Sequence, residues 1–158
     1  MTSTANLRRL INEIDKLQSN ACEYDKMFKF TMVEDDMYKW NITLYGPKDS
    51  LYEDYEFQLN MELPSTYPFE PPRVKFITPI QHVNINENGD ICLDILKNNW
   101  SSSQNMTSIM ISIIVLLGDP NTGDALNHVL GRLFKENNEE YVSTIKKSCK
   151  ENCKKVVV

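Results

Sequence analysis

Leu7, Leu10, Ile11, Ile14 and Leu17 recur at helical spacing, while Arg8, Arg9, Glu13, Asp15 and Lys16 fill the positions between them. The chain is therefore predicted to open with an amphipathic helix whose polar side is free to meet partners. The period then changes to two: Phe28, Phe30 and Met32; Tyr38, Trp40, Ile42 and Leu44; then Tyr55, Phe57, Leu59 and Met61, interleaved with Glu56, Gln58, Asn60 and Glu62. One apolar and one polar side is the mark of antiparallel strands laid on a core. Asp35-Asp36 and Gly46-Pro47-Lys48-Asp49-Ser50 supply turn chemistry between these strands. Arg73-Val74-Lys75-Phe76-Ile77 makes a short fourth strand, reached through a proline-rich stretch at 64–72 that cannot join a ladder.

From 78 to 103 no period is sustained, and only a brief apolar run occurs at 91–96. An irregular stretch that long inside a compact domain is usually functional. Periodicity returns with Met106, Ile109, Met110, Ile113, Ile114 and Leu117, a buried helix capped by Asn105 and stopped at Gly118-Asp119-Pro120-Asn121. Leu126, Val129, Leu130, Leu133 and Phe134 predict a third helix, with Asp124 at its start, and Tyr141, Val142, Ile145 and Cys149 a fourth. One helix, a four-stranded antiparallel meander, a long active-site loop and three C-terminal helices make an α+β domain. At 158 residues, with 41% hydrophobic and 25% charged residues, the chain fits a single domain over 1–158 with its core at about 7–153.

A formal charge of −5 and a pI near 5.1 argue against a general nucleic-acid binder, which needs a surplus of Lys and Arg on some face. Lys146, Lys147, Lys150, Lys154 and Lys155 crowd the last helix, where cations favour the helix dipole. Cys22, Cys92, Cys149 and Cys153 are too sparse for a disulfide framework, which points to a reducing compartment. Cys149 and Cys153 lack the nearby Cys or His pair that a tetrahedral metal site would need. No apolar stretch approaches the roughly 20 residues that span a bilayer. The expectation is a soluble monomer of the cytoplasm and/or nucleus, with no membrane or nucleic-acid partner.

Cys92 closes the polar loop His82-Val83-Asn84-Ile85-Asn86-Glu87-Asn88-Gly89-Asp90-Ile91 just before a short apolar run. That placement suggests a nucleophile held out of the core. Its sequence neighbours Asp90 and Asp94 are carboxylates, which disfavour a thiol's anion. This suits exchange with another thioester, nearly balanced in energy and governed by proximity, better than attack on an unactivated amide. When an amine then attacks, a carboxamide can stabilise the oxyanion, and Asn84 is the candidate unless it holds its own loop by an Asx turn. A carboxylate, Asp124 or Asp94, can orient or desolvate the incoming lysine. His82 is a rival activator that would make a Cys/His hydrolase, although a histidine beside a polar loop more often hydrogen-bonds backbone.

Six motifs occur in order: Gly46-Pro47 after a Trp-containing strand, Tyr67-Pro68 with Pro71-Pro72, His82-x-Asn84, Gly89-x-Ile91-Cys92-Leu93-Asp94, Trp100-Ser101 and Asp119-Pro120-Asn121. Together they resemble the ubiquitin-conjugating (UBC) catalytic domain from about Leu7 to the last helix. The resemblance implies that Cys92 accepts ubiquitin or a ubiquitin-like protein from an activating enzyme and transfers it to lysines of substrate proteins, alone or with a RING-type ligase. It assigns Asn84 to oxyanion stabilisation or to holding the loop, Asp124 to gating the acceptor lysine, and Asp94 to the acceptor surroundings. His82 becomes a loop-structure residue. Arg8, Arg9, Phe69, Ser102 and Ser103 occupy the places where ligases and the activating enzyme bind. No cofactor is implied, since the activating enzyme uses the ATP. The chain departs from the family pattern at Val83, where a proline would fix a backbone dihedral and whose absence predicts looser geometry. It departs also at Asp54-Tyr55, where many members have two glycines, at Ser102-Ser103 in place of Pro-Ala, and at Gly123 and Ala125 beside Asp124. The alternative is a non-catalytic UBC-fold module that binds ubiquitin or a partner conjugating enzyme.

Overall fold

A computed structural model describes residues 3–157. Helix α1 (Thr4–Ser19) starts at Ser3, whose side chain accepts from the Asn6 N–H, and is followed by a single turn, α2 (Ala21–Tyr24). Strands β1 (Phe28–Val33), β2 (Asp36–Tyr45), β3 (Tyr55–Glu62) and β4 (Arg73–Phe76) form an antiparallel meander in sequence order. Its register sets Trp40 opposite Met61, Ile42 opposite Leu59 and Leu44 opposite Phe57, all buried. On the other side Asn41 faces Asn60 and Thr43 faces Gln58. The alternation in sequence is thus the division between core and solvent, and a slip of one residue would invert it.

Helix α3 (Met106–Gly118) lies in the core, with Met106, Ile109, Met110, Ile113, Ile114, Leu116 and Leu117 buried. A reciprocal capping box joins Asn105 and Ser108 at its start. Helices α4 (His128–Glu136) and α5 (Asn138–Asn152) follow, each capped by an asparagine, Asn127 and Asn137. The predicted order of one helix, four strands, a long irregular segment and three helices is the observed one. A short β5 (Lys154–Lys155), absent from the sequence expectation, pairs with β3 at Tyr55 and Glu56, and Lys154 lies 3.5 Å from the Glu56 carboxylate.

Three details correct the sequence reading. Asp124 does not start a helix: it ends a separate 3-10 turn, Thr122–Asp124, and α4 begins only at His128. Leu126 and Val129 are exposed, so α4 buries a narrower stripe centred on Leu130. Glu13, read as part of the polar side of α1, is buried. Its carboxylate accepts from the Tyr67 hydroxyl at 2.7 and 2.6 Å and from the Met106 N–H at 2.9 Å. Helix α1, the loop before β4 and the first turn of α3 thus meet on one side chain.

Where two glycines were expected, Asp54 takes the left-handed backbone, with φ 73°. The local conformation survives at a cost that glycine would not incur. Asp54→Gly is expected to raise stability by up to about 1 kcal/mol, read as a higher urea midpoint at unchanged slope.

Candidate active site

Beyond β4 the chain turns inward, and residues 82–85 are all buried. The His82 ring accepts the Asn84 N–H on Nδ1 at 3.0 Å, so Nε2 carries the proton and donates it to the Leu116 carbonyl at 2.9 Å. Both nitrogens are committed to backbone and the ring is fully enclosed. His82 is therefore not available to activate Cys92, which removes the hydrolase alternative.

Burial lowers the pKa of His82 from 6.5 to about 4, against the opposing pull of the Leu116 carbonyl. Above the unfolded value the ring is neutral in both states. As pH falls from there towards the folded value, only the unfolded chain takes up the proton, so stability is lost across that window. The shift corresponds to about 3 kcal/mol. Urea unfolding at about pH 7 and about pH 4.5 should register most of that loss, and His82→Gln should flatten the slope.

The loop that precedes Cys92 is organised by Asn86, a residue the sequence reading passed over in favour of Asn84. Its side-chain oxygen accepts the N–H groups of Asn88 at 3.0 Å and Asp90 at 2.9 Å, an Asx turn, while its Nδ2 donates to the Asp90 carboxylate at 3.0 Å. Gly89 completes the turn with φ 85°, and a Cβ there would lie 2.1 Å from the Phe76 carbonyl oxygen. Asp90 is drawn away to Lys75 at 3.3 Å; the Asn86 hydrogen bond and then Lys75 hold its carboxyl below its ordinary range. Of the two carboxylates that neighbour the thiol in sequence, Asp90 is thus engaged by Asn86 and Lys75. The Lys97 ammonium lies 3.9 Å from Sγ.

Cys92 itself is half-buried, and its N–H donates to the Asn84 carbonyl at 2.9 Å. From the same residue the Asn84 carboxamide reaches the opposite loop: Nδ2 donates to the carbonyls of Asn121 at 2.7 Å and Asp124 at 3.1 Å, and Oδ1 accepts the Asn121 N–H at 2.8 Å. Asn84 therefore ties the backbone at Cys92 to the backbone at Asp124. Asp124 is exposed, with its carboxylate 3.5 Å from the Asn121 amide nitrogen. Asp94 is exposed at the head of the 3-10 turn Asp94–Leu96 that follows the thiol, and its carbonyl accepts from Lys97 and Asn99. Val83 does not leave this region loose. Its side chain is enclosed and its carbonyl accepts the N–H groups of Leu126 at 2.9 Å and Asn127 at 3.0 Å, so packing and two hydrogen bonds fix the backbone in place of a proline ring.

The residues predicted to meet partners lie on α1 and on the two loops that carry Phe69 and Ser102-Ser103. Arg9 donates to the carbonyls of Ser102 at 2.6 Å and Gln104 at 2.8 Å, so it serves the loop internally, while Arg8, Ser102 and Ser103 are exposed. The Trp100 indole donates to the Pro68 carbonyl at 2.9 Å, and next to it Phe69 stands 71% exposed.

The sequence profile described as ubiquitin-conjugating enzyme matches residues 9–149. A protein of Acanthamoeba polyphaga mimivirus, named a probable ubiquitin-conjugating enzyme E2, is 43% identical over 153 residues, covering 96% of this chain and 97% of its own. The ubiquitin-conjugating enzyme E2 2 of Trichoderma harzianum is 36% identical over 146 residues, covering 92% and 95%. Among solved structures, the E2 domain of a Toxoplasma gondii ubiquitin conjugating enzyme superposes with a TM-score of 0.83 at 32% identity, covering 94% of this chain and 99% of that one.

Proposed function

The chain belongs to the ubiquitin-conjugating enzyme family, and from that premise we propose that Cys92 carries ubiquitin or a ubiquitin-like modifier as a thioester and delivers it to lysines of substrate proteins, alone or with a RING-type ligase. The observation that carries this reading is the double tether at Asn84, which fixes a reachable thiol and an exposed carboxylate, Asp124, on facing loops.

In the first step the Cys92 sulfur attacks the thioester carbonyl presented by an activating enzyme, and that enzyme's thiol leaves. The exchange is nearly thermoneutral, so alignment sets its rate. In the second step a substrate amine attacks the carbonyl, a C–N bond replaces the C–S bond, and the sulfur departs. Asp124 or Asp94 orients the amine and receives or relays the proton it loses. Asn84 is foremost a positioning residue, because both protons of its amide are already donated to loop carbonyls. ATP is consumed by the activating enzyme, and the chemistry asked of this chain needs only its thiol, carboxamide and carboxylates. Arg8, Phe69, Ser102 and Ser103 form the surface offered to the activating enzyme and to ligases.

The test is a gel of the full chain incubated with activating enzyme, ATP and ubiquitin, run with and without reducing agent. A thiol-sensitive shift by the mass of one modifier is expected. Absence of any such shift with ubiquitin and with SUMO-type modifiers, in protein folded by circular dichroism, would overturn the reading in favour of a non-catalytic binding module.

A further inference from the structure

We propose that Cys149 and Cys153 form a reversible oxidation site, in which a peroxide converts Cys153 to a sulfenic acid and Cys149 resolves it to a disulfide between the last turn of α5 and the start of β5. Neither thiol has a role in the conjugation chemistry above. Cys149 is buried in that last turn, and Cys153 is the half-buried residue that caps it, its backbone already extended at φ −108° and ψ 146°. The Cys153 N–H donates to the Cys149 carbonyl at 2.9 Å, so the two Cα atoms are separated by about four residues of helical rise, roughly 6 Å. Disulfides bridge Cα separations of about 4.4–6.8 Å. The thiols also face each other, with the Cys149 S–H hydrogen-bonded to the Cys153 sulfur. Cys153 lies past the helix, so its side chain is not held to helical geometry.

The surroundings divide the work between the two. A peroxide is attacked by a thiolate, and oxidisable cysteines combine a lowered pKa, access to solvent and a second thiol beside them. Cys153 has all three: the hydrogen bond from Cys149 holds its thiol below the ordinary range, against burial, and its side chain is partly open, with the Pro79 carbonyl at 3.7 Å as a further partner. Cys149 is enclosed, its thiol pushed up first by the same hydrogen bond, then by burial and by the charge of Cys153. Oxidation of Cys153 removes the first and last of these causes and releases Cys149 to react.

The Cys153 sulfur attacks one oxygen of hydrogen peroxide, the O–O bond breaks, and the departing hydroxide takes up the proton the thiol has lost. The products are a sulfenic acid and water. The Cys149 sulfur then attacks the sulfenic sulfur, the S–O bond breaks, and hydroxide leaves with the Cys149 proton as a second water. Two electrons pass from the pair to the peroxide, and one S–S bond replaces two S–H bonds. A thiol reductant such as glutathione reverses the change. The bridge also takes the Cys153 hydrogen from the Pro79 carbonyl, so the segment that leads into the active-site loop loses a bond from the end of α5.

The experiment treats the reduced full chain with hydrogen peroxide at two protein concentrations ten times apart, blocks remaining thiols with N-ethylmaleimide and digests with trypsin without reduction. Cleavage after Lys147, Lys150 and Lys154 separates the cysteines, so their disulfide links peptide 148–150 to peptide 151–154. Expected is that linked pair, about 2 Da below the sum of the reduced peptides, formed at a rate independent of protein concentration, ahead of thiol loss at Cys22, and undone by reductant. In Cys149→Ser, dimedone should label Cys153 as the sulfenic acid. In Cys153→Ser, loss of the Cys149 thiol should slow by about tenfold or more. Maleimide on both peptides after Cys22 has been oxidised, linkage at a rate proportional to concentration, no dimedone label in folded Cys149→Ser, or undiminished oxidation of Cys149 in Cys153→Ser would each overturn the proposal. Should Cys149→Ser fail to fold, the parent chain and Cys153→Ser, changed at a half-exposed position, decide the matter.

Discussion

Cys92→Ala is expected to leave no thiol-sensitive adduct, a complete loss with no residual level, and Cys92→Ser to yield an adduct that survives reducing agent because an oxygen ester takes the place of the thioester. The three other cysteines do not substitute. Cys149 is buried, its thiol pushed up by its hydrogen bond with Cys153 and by burial. Cys153, just past α5, donates its thiol to the Pro79 carbonyl at 3.7 Å, and Cys22 is exposed on α2; both are far along the chain from Asn84. A thiol-sensitive band persisting in Cys92→Ala would place the acceptor at Cys22 or Cys153 and refute the assignment. The substitution removes one half-exposed sulfur while the backbone N–H keeps its bond to Asn84, so unfolding free energy should change by no more than about 1 kcal/mol. Loss of charging and loss of fold are then separable in the same preparation.

Glu13→Ala should be the most destabilising single change outside the apolar core. It strands two buried donors at once, the Tyr67 hydroxyl and the Met106 N–H at the first turn of α3. Each unsatisfied buried donor costs about 1–3 kcal/mol, and the negative charge that complements the positive end of α3 goes with them. A loss of about 3–5 kcal/mol is expected in urea unfolding. The Tyr67 phenol is pushed up by burial first and by the Glu13 carboxylate second, with Arg9 opposing, which marks the two side chains as one unit. Tyr67→Phe removes one of the donors in advance. The double variant should therefore lose less than the sum of the single ones, and strict additivity would show that the pair is not coupled.

The elements that could be read from the sequence are those whose burial imposes a period. The β2 and β3 alternation and the Met106–Leu117 stripe translate directly into the core. Position 13 was equally periodic, since it falls three residues after Leu10 and four before Leu17, on the buried stripe itself; its residue type outweighed its spacing, and the spacing was right. β5 carried no such signal, because two exposed lysines held by β3 have no apolar pattern to display. At the site, the motif residues were legible one by one and their joinery was not. That Asn86 makes the Asx turn while Asn84 reaches across to Asn121 depends on a loop more than thirty residues away. That Lys97 reaches the sulfur depends on a single 3-10 turn folding the chain back on itself, and that Asp90 is engaged elsewhere depends on Lys75.

The tether at Asn84 also bears on motion. Residues 92 and 124 belong to segments that are independent in sequence, yet each is bonded to the same asparagine, and that asparagine is locked in turn by His82 and, through Val83, by the entrance to α4. Such a joint transmits displacement in place of absorbing it. Anything that shifts the loop at 121–124 therefore pulls on Cys92 as well, so the two segments move together, and amide exchange at Cys92 and Asn121 should slow or quicken in step.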